Sequence, residues 1–227
     1  MSFDPNLTAV EAAVEALGKL ADDFLLIGGC AVGLLVTEPA VTSIRPTTDV
    51  DMLTEATPLS DYYALCARLK ERGFREDQGD VICRWIKDSI IIDVVPADEA
   101  ILGFTNTWYA PAAQSSNNMR LPSGKHANVI SAPYFLATKL EAFASRGNGD
   151  FMHHDMEDIV TVIDGRASII QEVIQSDTKL RSFLQDEFEA LLANATFIER
   201  LPWLISPNQS NARHMLVLER LQQLAGF

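Results

Sequence analysis

Cysteine is scarce. Cys30, Cys66 and Cys83 are odd in number and widely spaced, so they form neither a metal motif nor an evident disulfide framework. Reduced thiols in a cytoplasmic protein are the expectation. Long apolar runs are missing too. None approaches the ~20 residues of a membrane span, and no membrane partner is expected. The opening "MSFDPNLTAVEAAVEAL" lacks the basic and then apolar layout of a signal peptide. Positive charge is in short supply: 18 Lys and Arg against 31 Asp and Glu give a formal net charge of −13. That is a poor background for non-specific nucleic-acid binding, which runs on phosphate neutralisation. It leaves room for a locally basic face. Repeats, low-complexity tracts, a G-x-G-x-x-G fingerprint and a G-x-S-x-G elbow are all absent.

What is present suits a globular chain. Its 227 residues, 48% of them hydrophobic, make one large domain or two small ones with a real core. Leu7, Val10, Val14 and Leu17 give a helical rhythm over residues 6–20. Phe24–Ile27 reads as a short buried strand ending in Gly28 and Gly29, followed by an apolar helix in "CAVGLLVTE". "TTDVDMLTE" alternates as a strand does. "SDYYALCARLKERG" reads as a helix capped by Ser60 or Asp61 and stopped at Gly73. "DVICRWIKDSIIIDVVP" reads as two strands joined near Lys87–Ser89. After Pro96 come turn-rich pieces with one or two short strands. From Ala132 the chain is helical, with Ser131 as a cap and Pro133 in the tolerated first turn. The expectation is an α+β fold: a mixed sheet with packed helices over residues 1–130, then an all-helical part over 131–227.

The sharpest local feature is "SIRPTTDVDML". Asp49 and Asp51 stand at i and i+2, which on a strand puts both on one face. Asp93 interrupts the apolar run "SIIIDVVP". If its strand neighbours that of Asp49 and Asp51, three carboxylates converge. Close carboxylates repel and invite cations. Three hard oxygen donors without a nearby cysteine suit Mg²⁺, which keeps water and substrate phosphates as its other ligands. The glycine pair in "LLIGGCAVG" lets backbone approach a ligand, and the helix after it offers N–H groups to a phosphate. A phosphate seat beside a magnesium cluster is what phosphoryl or nucleotidyl transfer requires. Each element alone has a plainer reading: a structural turn, a solvent-facing pair, a sheet edge.

Their order resembles the nucleotidyltransferase superfamily with the DNA polymerase β-like fold. The positions that carry the resemblance are Gly28, Gly29, Asp49, Asp51 and Asp93, within residues 24–96. The gap before the first aspartate is longer than usual and contains "VTEPAVTSIRPTT". That longer form, "GGCAVGLLV…RPTTDVDML", looks like the AbiEii-type toxin nucleotidyltransferases. It places Arg45 and Thr48 before the aspartate pair. The same resemblance reaches a late helical motif: Lys139, Arg146, then Asp155 and Asp158, with His154 where a basic residue usually stands. Local spacing agrees. Lys139 and Arg146 are seven apart and share a helix face, as do Asp155 and Asp158, three apart. Lys139 sits in apolar "YFLATKLEAF", where a lysine is out of place. A polar outer face is the plainer reading for Arg146. His153 and His154 are adjacent and cannot share a helix face. His154 with Asp158 gives two ligands, too few for zinc.

The resemblance implies a Mg²⁺-dependent nucleotidyltransferase, with Mn²⁺ as a substitute, that uses ATP or another nucleoside triphosphate. Asp49 and Asp51 would hold metals. Asp93 would hold the catalytic metal and help deprotonate the acceptor. Lys139 would act on the triphosphate, and Gly28, Gly29, Arg45, Thr48, Lys139, Arg146, Asp155 and Asp158 would bind the nucleotide. The implied acceptor is RNA, a tRNA 3′ end, in a toxin–antitoxin or phage-defence system with a cognate antitoxin as partner. Arg68, Arg72, Arg75, Arg84 and Lys87, with Arg120 and Lys125, are the cations for RNA. A solvated helix end is the plainer reading of the cluster from Arg68 to Lys87. The alternatives are nucleotidylation of a small molecule, antibiotic-type, or of a protein side chain, and a non-catalytic binding or antitoxin module.

Overall fold

The structure is a computed structural model that describes residues 4–38, 44–56, 58–79, 81–103, 105–205 and 211–226. The chain separates into two compact units. One comprises Pro5–Gly33 and Pro46–Ser131, and the other comprises Met1–Asp4, Leu34–Arg45 and Ala132–Phe227. No helix among the described residues is long and apolar enough to cross a membrane.

The first unit holds a mixed seven-stranded sheet. Its strands are β1 (Leu25–Leu26), β2 (Val50–Thr54), β3 (Arg75–Glu76), β4 (Arg84–Lys87), β5 (Ile90–Pro96), β6 (Asn117–Arg120) and β7 (His126–Val129), in the order β3-β4-β5-β2-β1-β7-β6. β2 pairs with β5 in parallel and with β1 antiparallel, while β4 and β5 form a hairpin. Helix α1 (Leu7–Leu17) packs on β2 and β5. It buries Val10, Val14 and Leu17 at helical spacing, each contributing about 1.5–3 kcal/mol. Gly18, at φ +57°, ends it, and a 3₁₀ turn fills Gly18–Asp23.

The first strand is shorter than the expected Phe24–Ile27, covering Leu25–Leu26. The expected helix after Gly29 is also cut down, to a 3₁₀ turn (Gly29–Ala31) and a single turn α2 (Val32–Leu35). Gly33 inside it is a weak helix former, and so few peptide units give little dipole. Helix α3 (Leu59–Glu71) starts after an extended Pro58, with Asp61 in its first turn, so neither Ser60 nor Asp61 is its cap. Short helices α4 (Glu99–Leu102) and α5 (Tyr109–Ala113) follow β5.

The second unit is helical: α6 (Ala132–Arg146), α7 (His154–Gly165), α8 (Ile169–Gln175), α9 (Thr178–Ala193), α10 (Ala195–Leu204) and α11 (Asn211–Leu224). Asp177 and Asn194 accept amide hydrogen bonds at the starts of α9 and α10. α6 packs along α7. Arg220 from α11 donates to the carbonyls of Ile163 (2.8 Å) and Asp164 (2.7 Å), tying down the last turn of α7. Arg213 joins it on Glu38.

Candidate active site

Strand register builds the carboxylate group. Asp51 of β2 lies directly beside Asp93 of β5, and Asp93 lies directly opposite Arg84 of β4. Cross-strand partners project to the same face, so three strands present Asp51, Asp93 and Arg84 in one row. Asp49 precedes β2, two residues before Asp51. Thr47 Oγ1 donates to Asp49 Oδ1 at 2.9 Å, and the Cys30 thiol donates to the Asp49 carbonyl at 3.0 Å. Val50 and Met52, on the other face of β2, are core residues. This alternation lets one strand carry charge on one side and core on the other.

β1 ends where this row begins. The Ile27 amide donates to the Asp51 carbonyl at 3.0 Å, and the next residue is Gly28. Gly28 sits at φ +65°, ψ −161°, a region close to glycine-only. The Asp51 carboxylate packs against the bare Cα of Gly28.

Arg84 closes the group. Its Nε donates to Asp93 Oδ1 and its Nη2 to Asp93 Oδ2, both at 2.8 Å, while Nη2 also reaches Asp49 Oδ2 at 2.5 Å. The fork on Asp93 is the bidentate geometry that suits arginine. The hydrogen bond to Asp93, followed by the charges of Asp93 and Asp49, raises the affinity of Arg84 for its proton against the effect of burial. Nearby, burial first and then the charges of Asp93 and Asp51 push the Cys83 thiol up to about 11. It is a protonated thiol at neutral pH.

The second unit gathers the late motif into a separate ion cluster. Lys139 Nζ donates to Asp155 Oδ1 at 2.8 Å and to Asp158 Oδ2 at 2.7 Å, with all three side chains buried. Arg146 forks onto Asp155 with two bonds of 2.7 Å, and Arg45 reaches Asp158 Oδ2 at 3.2 Å. Burial alone would lower the Lys139 pKa, but the charges of Asp158 and Asp155 outweigh it and hold it above the ordinary lysine value. Burial alone would raise the Asp155 pKa, but the Arg146 hydrogen bond and the Lys139 charge hold it well below the usual range. His153 is the N-cap of α7, in extended conformation, and its Nδ1 accepts the Asp155 amide at 3.2 Å. Its ring centroid lies 3.9 Å from that of His154, the two rings tilted by 35°. His153, His154 and Asp155 bring one ligand atom each within 4.8 Å of one another. Asp155 Oδ1 also accepts from Lys139 and Arg146, and its Oδ2 accepts from Arg146.

The structure thus groups the site residues named from the sequence in two sets. Asp51 stands beside Asp93 and against Gly28, Asp49 and Asp93 share the Arg84 guanidinium, and Gly29 is buried in the turn after Gly28. Arg45, Lys139, Arg146, Asp155 and Asp158 meet around α7. Thr48 is exposed, and its neighbour Thr47 is the threonine that bonds Asp49. The cations named for RNA are partly engaged: Arg68 with Asp23, Lys125 with Glu15, Arg84 with the carboxylates, and Lys87 with the Arg72 carbonyl. Sequence reasoning counted Arg84 among surface cations and missed it as a site residue.

No family model matches the chain, and no curated relative matches it. Solved structures do match. An antigenic nucleotidyltransferase-like protein from Paracoccidioides brasiliensis aligns with a TM-score of 0.53 at 17% identity, over 88% of this chain and 94% of that one. JHP933 from Helicobacter pylori aligns with a TM-score of 0.50 at 13% identity, over 100% of this chain and 94% of its own. The chain has the α+β fold of nucleotidyltransferase-like proteins, a mixed sheet with many helices.

Proposed function

We propose that the chain is a divalent-metal-dependent nucleotidyltransferase of the polymerase β-like type. It moves a nucleoside monophosphate from a nucleoside triphosphate to an acceptor hydroxyl. The observation that carries this reading is the meeting of Asp49 and Asp93 on one cationic group, with Asp51 in register beside them at the glycine turn. The donor set is three carboxylates, which suits Mg²⁺ or Mn²⁺. The guanidinium already held there fits a cluster that demands positive charge. Mg²⁺ on Asp49, Asp51 and Asp93 would supply charge neutralisation at the triphosphate.

The chain's own residues do the rest. Gly28, with no Cβ, leaves room at the end of β1 for the Asp51 carboxylate. Asp93 takes the proton of the acceptor hydroxyl. That oxygen bonds to the α-phosphorus in line, the bond to the bridging oxygen breaks, and pyrophosphate leaves with the electron pair. The AbiEii resemblance assigns nucleotide contacts to Arg45, Thr48, Lys139, Arg146, Asp155 and Asp158, whereas Lys139, Asp155 and Asp158 are buried and bonded to one another. Within that set, the Arg146 side chain is 55% exposed and is bonded to Asp155.

For the acceptor, the same resemblance supports RNA, a tRNA 3′ end, in a growth-arresting toxin with an antitoxin partner. A small-molecule or protein acceptor is the second reading. The net charge of −13 and the ion pairs that engage Arg68 and Lys125 favour it. One experiment tests both. The protein is incubated with each nucleoside triphosphate labelled at the α-phosphate, Mg²⁺, and either total tRNA or cell lysate. The expected result is transfer of label that EDTA abolishes. Labelled tRNA whose yield falls with salt supports the RNA reading. Label on a small molecule or protein supports the second. No label on any acceptor with any triphosphate contradicts nucleotidyl transfer itself.

A further inference from the structure

We infer that Arg84 is an exchangeable internal cation: it holds the metal carboxylates together while no metal is bound, and it moves to the triphosphate when metal and nucleotide arrive. The inference rests on the nucleotidyltransferase reading and assigns that site a residue it did not include. The guanidinium contacts Oδ2 of Asp49 at 2.5 Å and both oxygens of Asp93 at 2.8 Å. Two of the three carboxylates that a divalent ion would use are therefore already served by one positive group. A metal ligated by those oxygens and a guanidinium bonded to them compete for the same lone pairs.

Arg84 is placed to leave without unfolding anything. Its backbone is fixed in β4 opposite Asp93, while its side chain is 22% exposed. An arginine keeps its charge wherever it moves. Once the carboxylates are neutralised by another cation, the nearest demand for a planar cationic fork is a phosphate oxygen pair. The same residue would then suppress metal binding in the absence of nucleotide and favour nucleotide in its presence.

The test uses Mn²⁺ and a non-hydrolysable nucleoside triphosphate on the full chain, with wild type, Arg84→Gln, Arg84→Lys and Asp51→Asn compared. Free Mn²⁺ is read by electron paramagnetic resonance. If Arg84 vacates the carboxylates in a tenth of molecules or fewer, Arg84→Gln binds Mn²⁺ about tenfold or more tightly than wild type without nucleotide. With Mn²⁺ saturating, the same variant binds the nucleotide more weakly than wild type. These opposite changes are the signature, because a merely structural role would weaken both. A second reading does not need the Gln variant to fold. Mg²⁺ titration of the wild type should shift the Nε–H nuclear magnetic resonance signal that Arg84→Lys removes.

Equal Mn²⁺ affinity in wild type and Arg84→Gln, both sensitive to Asp51→Asn, would overturn this inference and leave the nucleotidyltransferase reading intact. So would an Arg84 Nε–H signal that Mg²⁺ leaves in place. Tighter Mn²⁺ with unchanged nucleotide affinity would overturn the transfer to phosphate. Failure of the wild type to bind Mn²⁺, or binding that ignores Asp51→Asn, would overturn both the reading and the inference.

Discussion

A Cβ atom on Gly28 would collide with the carboxylate of Asp51. The glycine and the aspartate are therefore one device: the missing side chain is the space in which the carboxylate stands. Gly28→Ala has two costs. Its backbone conformation is strained for any residue with a Cβ, by about 1–3 kcal/mol. The methyl group also displaces Asp51 from its row with Asp93. The expected outcome is a lower melting temperature together with loss of transfer beyond what partial unfolding explains. Full activity in a folded Gly28→Ala would separate Asp51 from the chemistry.

Asp49→Ala, Asp51→Ala and Asp93→Asn are each expected to abolish nucleotide transfer. They should also remove the stabilisation that Mg²⁺ with nucleoside triphosphate gives the wild type. A ligand at one hundred times its dissociation constant stabilises a fold by about 2.7 kcal/mol. Thermal melts with and without Mg²⁺–nucleotide read this directly. Retention of the full shift in all three variants would move the metal site elsewhere.

Lys139 is expected to matter to the fold first. It is buried with Asp155 and Asp158, and removing one partner of such a group typically costs about 3–5 kcal/mol because the others are left uncompensated. Urea denaturation of Lys139→Met should show that loss. Lys139→Met with Asp158→Asn should lose less than the sum of the single changes. A Lys139→Met midpoint equal to wild type would mean the amine does not hold the cluster together.

Stability should fall over two separate pH ranges as acid is added. Burial first, then the nearby cations, lower the His154 pKa against the pull of Asp155. The unfolded chain therefore takes up that proton first, and stability falls as pH drops through about 6.5. The Asp155 pKa is held low in the fold, so its contribution is complete above about pH 3.9 and is lost only as pH falls through the folded value. Glu157, raised by burial and by Asp158, acts in the opposite direction near its ordinary value. The His154 step is best read between about pH 5 and 7. His154→Gln should flatten the melting temperature there, and an unchanged slope would remove His154 as its source.

How much of this was legible varies by residue, for physical reasons. The row of Asp49, Asp51 and Asp93 could be read because strand periodicity and an acid within "SIIIDVVP" are local signals. The end of β1 in Gly28 was equally local. The shortness of α2 was not, because apolar "CAVGLLV" follows helix rhythm beyond the point where the helix stops. Arg84 needed register. With the β4–β5 turn at Asp88–Ser89, Lys87 pairs with Ile90, and counting outward puts Arg84 opposite Asp93. The turn position was in the sequence and the count would have found it. The tilted contact between the His153 and His154 rings was hidden by treating both as helical, when His153 is an extended cap. The partners of Lys139 were foreshadowed by two spacings, seven on α6 and three on α7, that matched once the helices packed side by side.

The most direct measurement is anomalous diffraction from crystals grown with Mn²⁺ and a non-hydrolysable nucleoside triphosphate. The expected map has manganese bound by oxygens of Asp49, Asp51 and Asp93 at about 2 Å. Triphosphate oxygens complete its shell beside Gly28, and the Arg84 guanidinium lies on phosphate instead of on Asp93. Manganese at His153, His154 and Asp155 instead, with Arg84 still bridging Asp49 and Asp93, would contradict it.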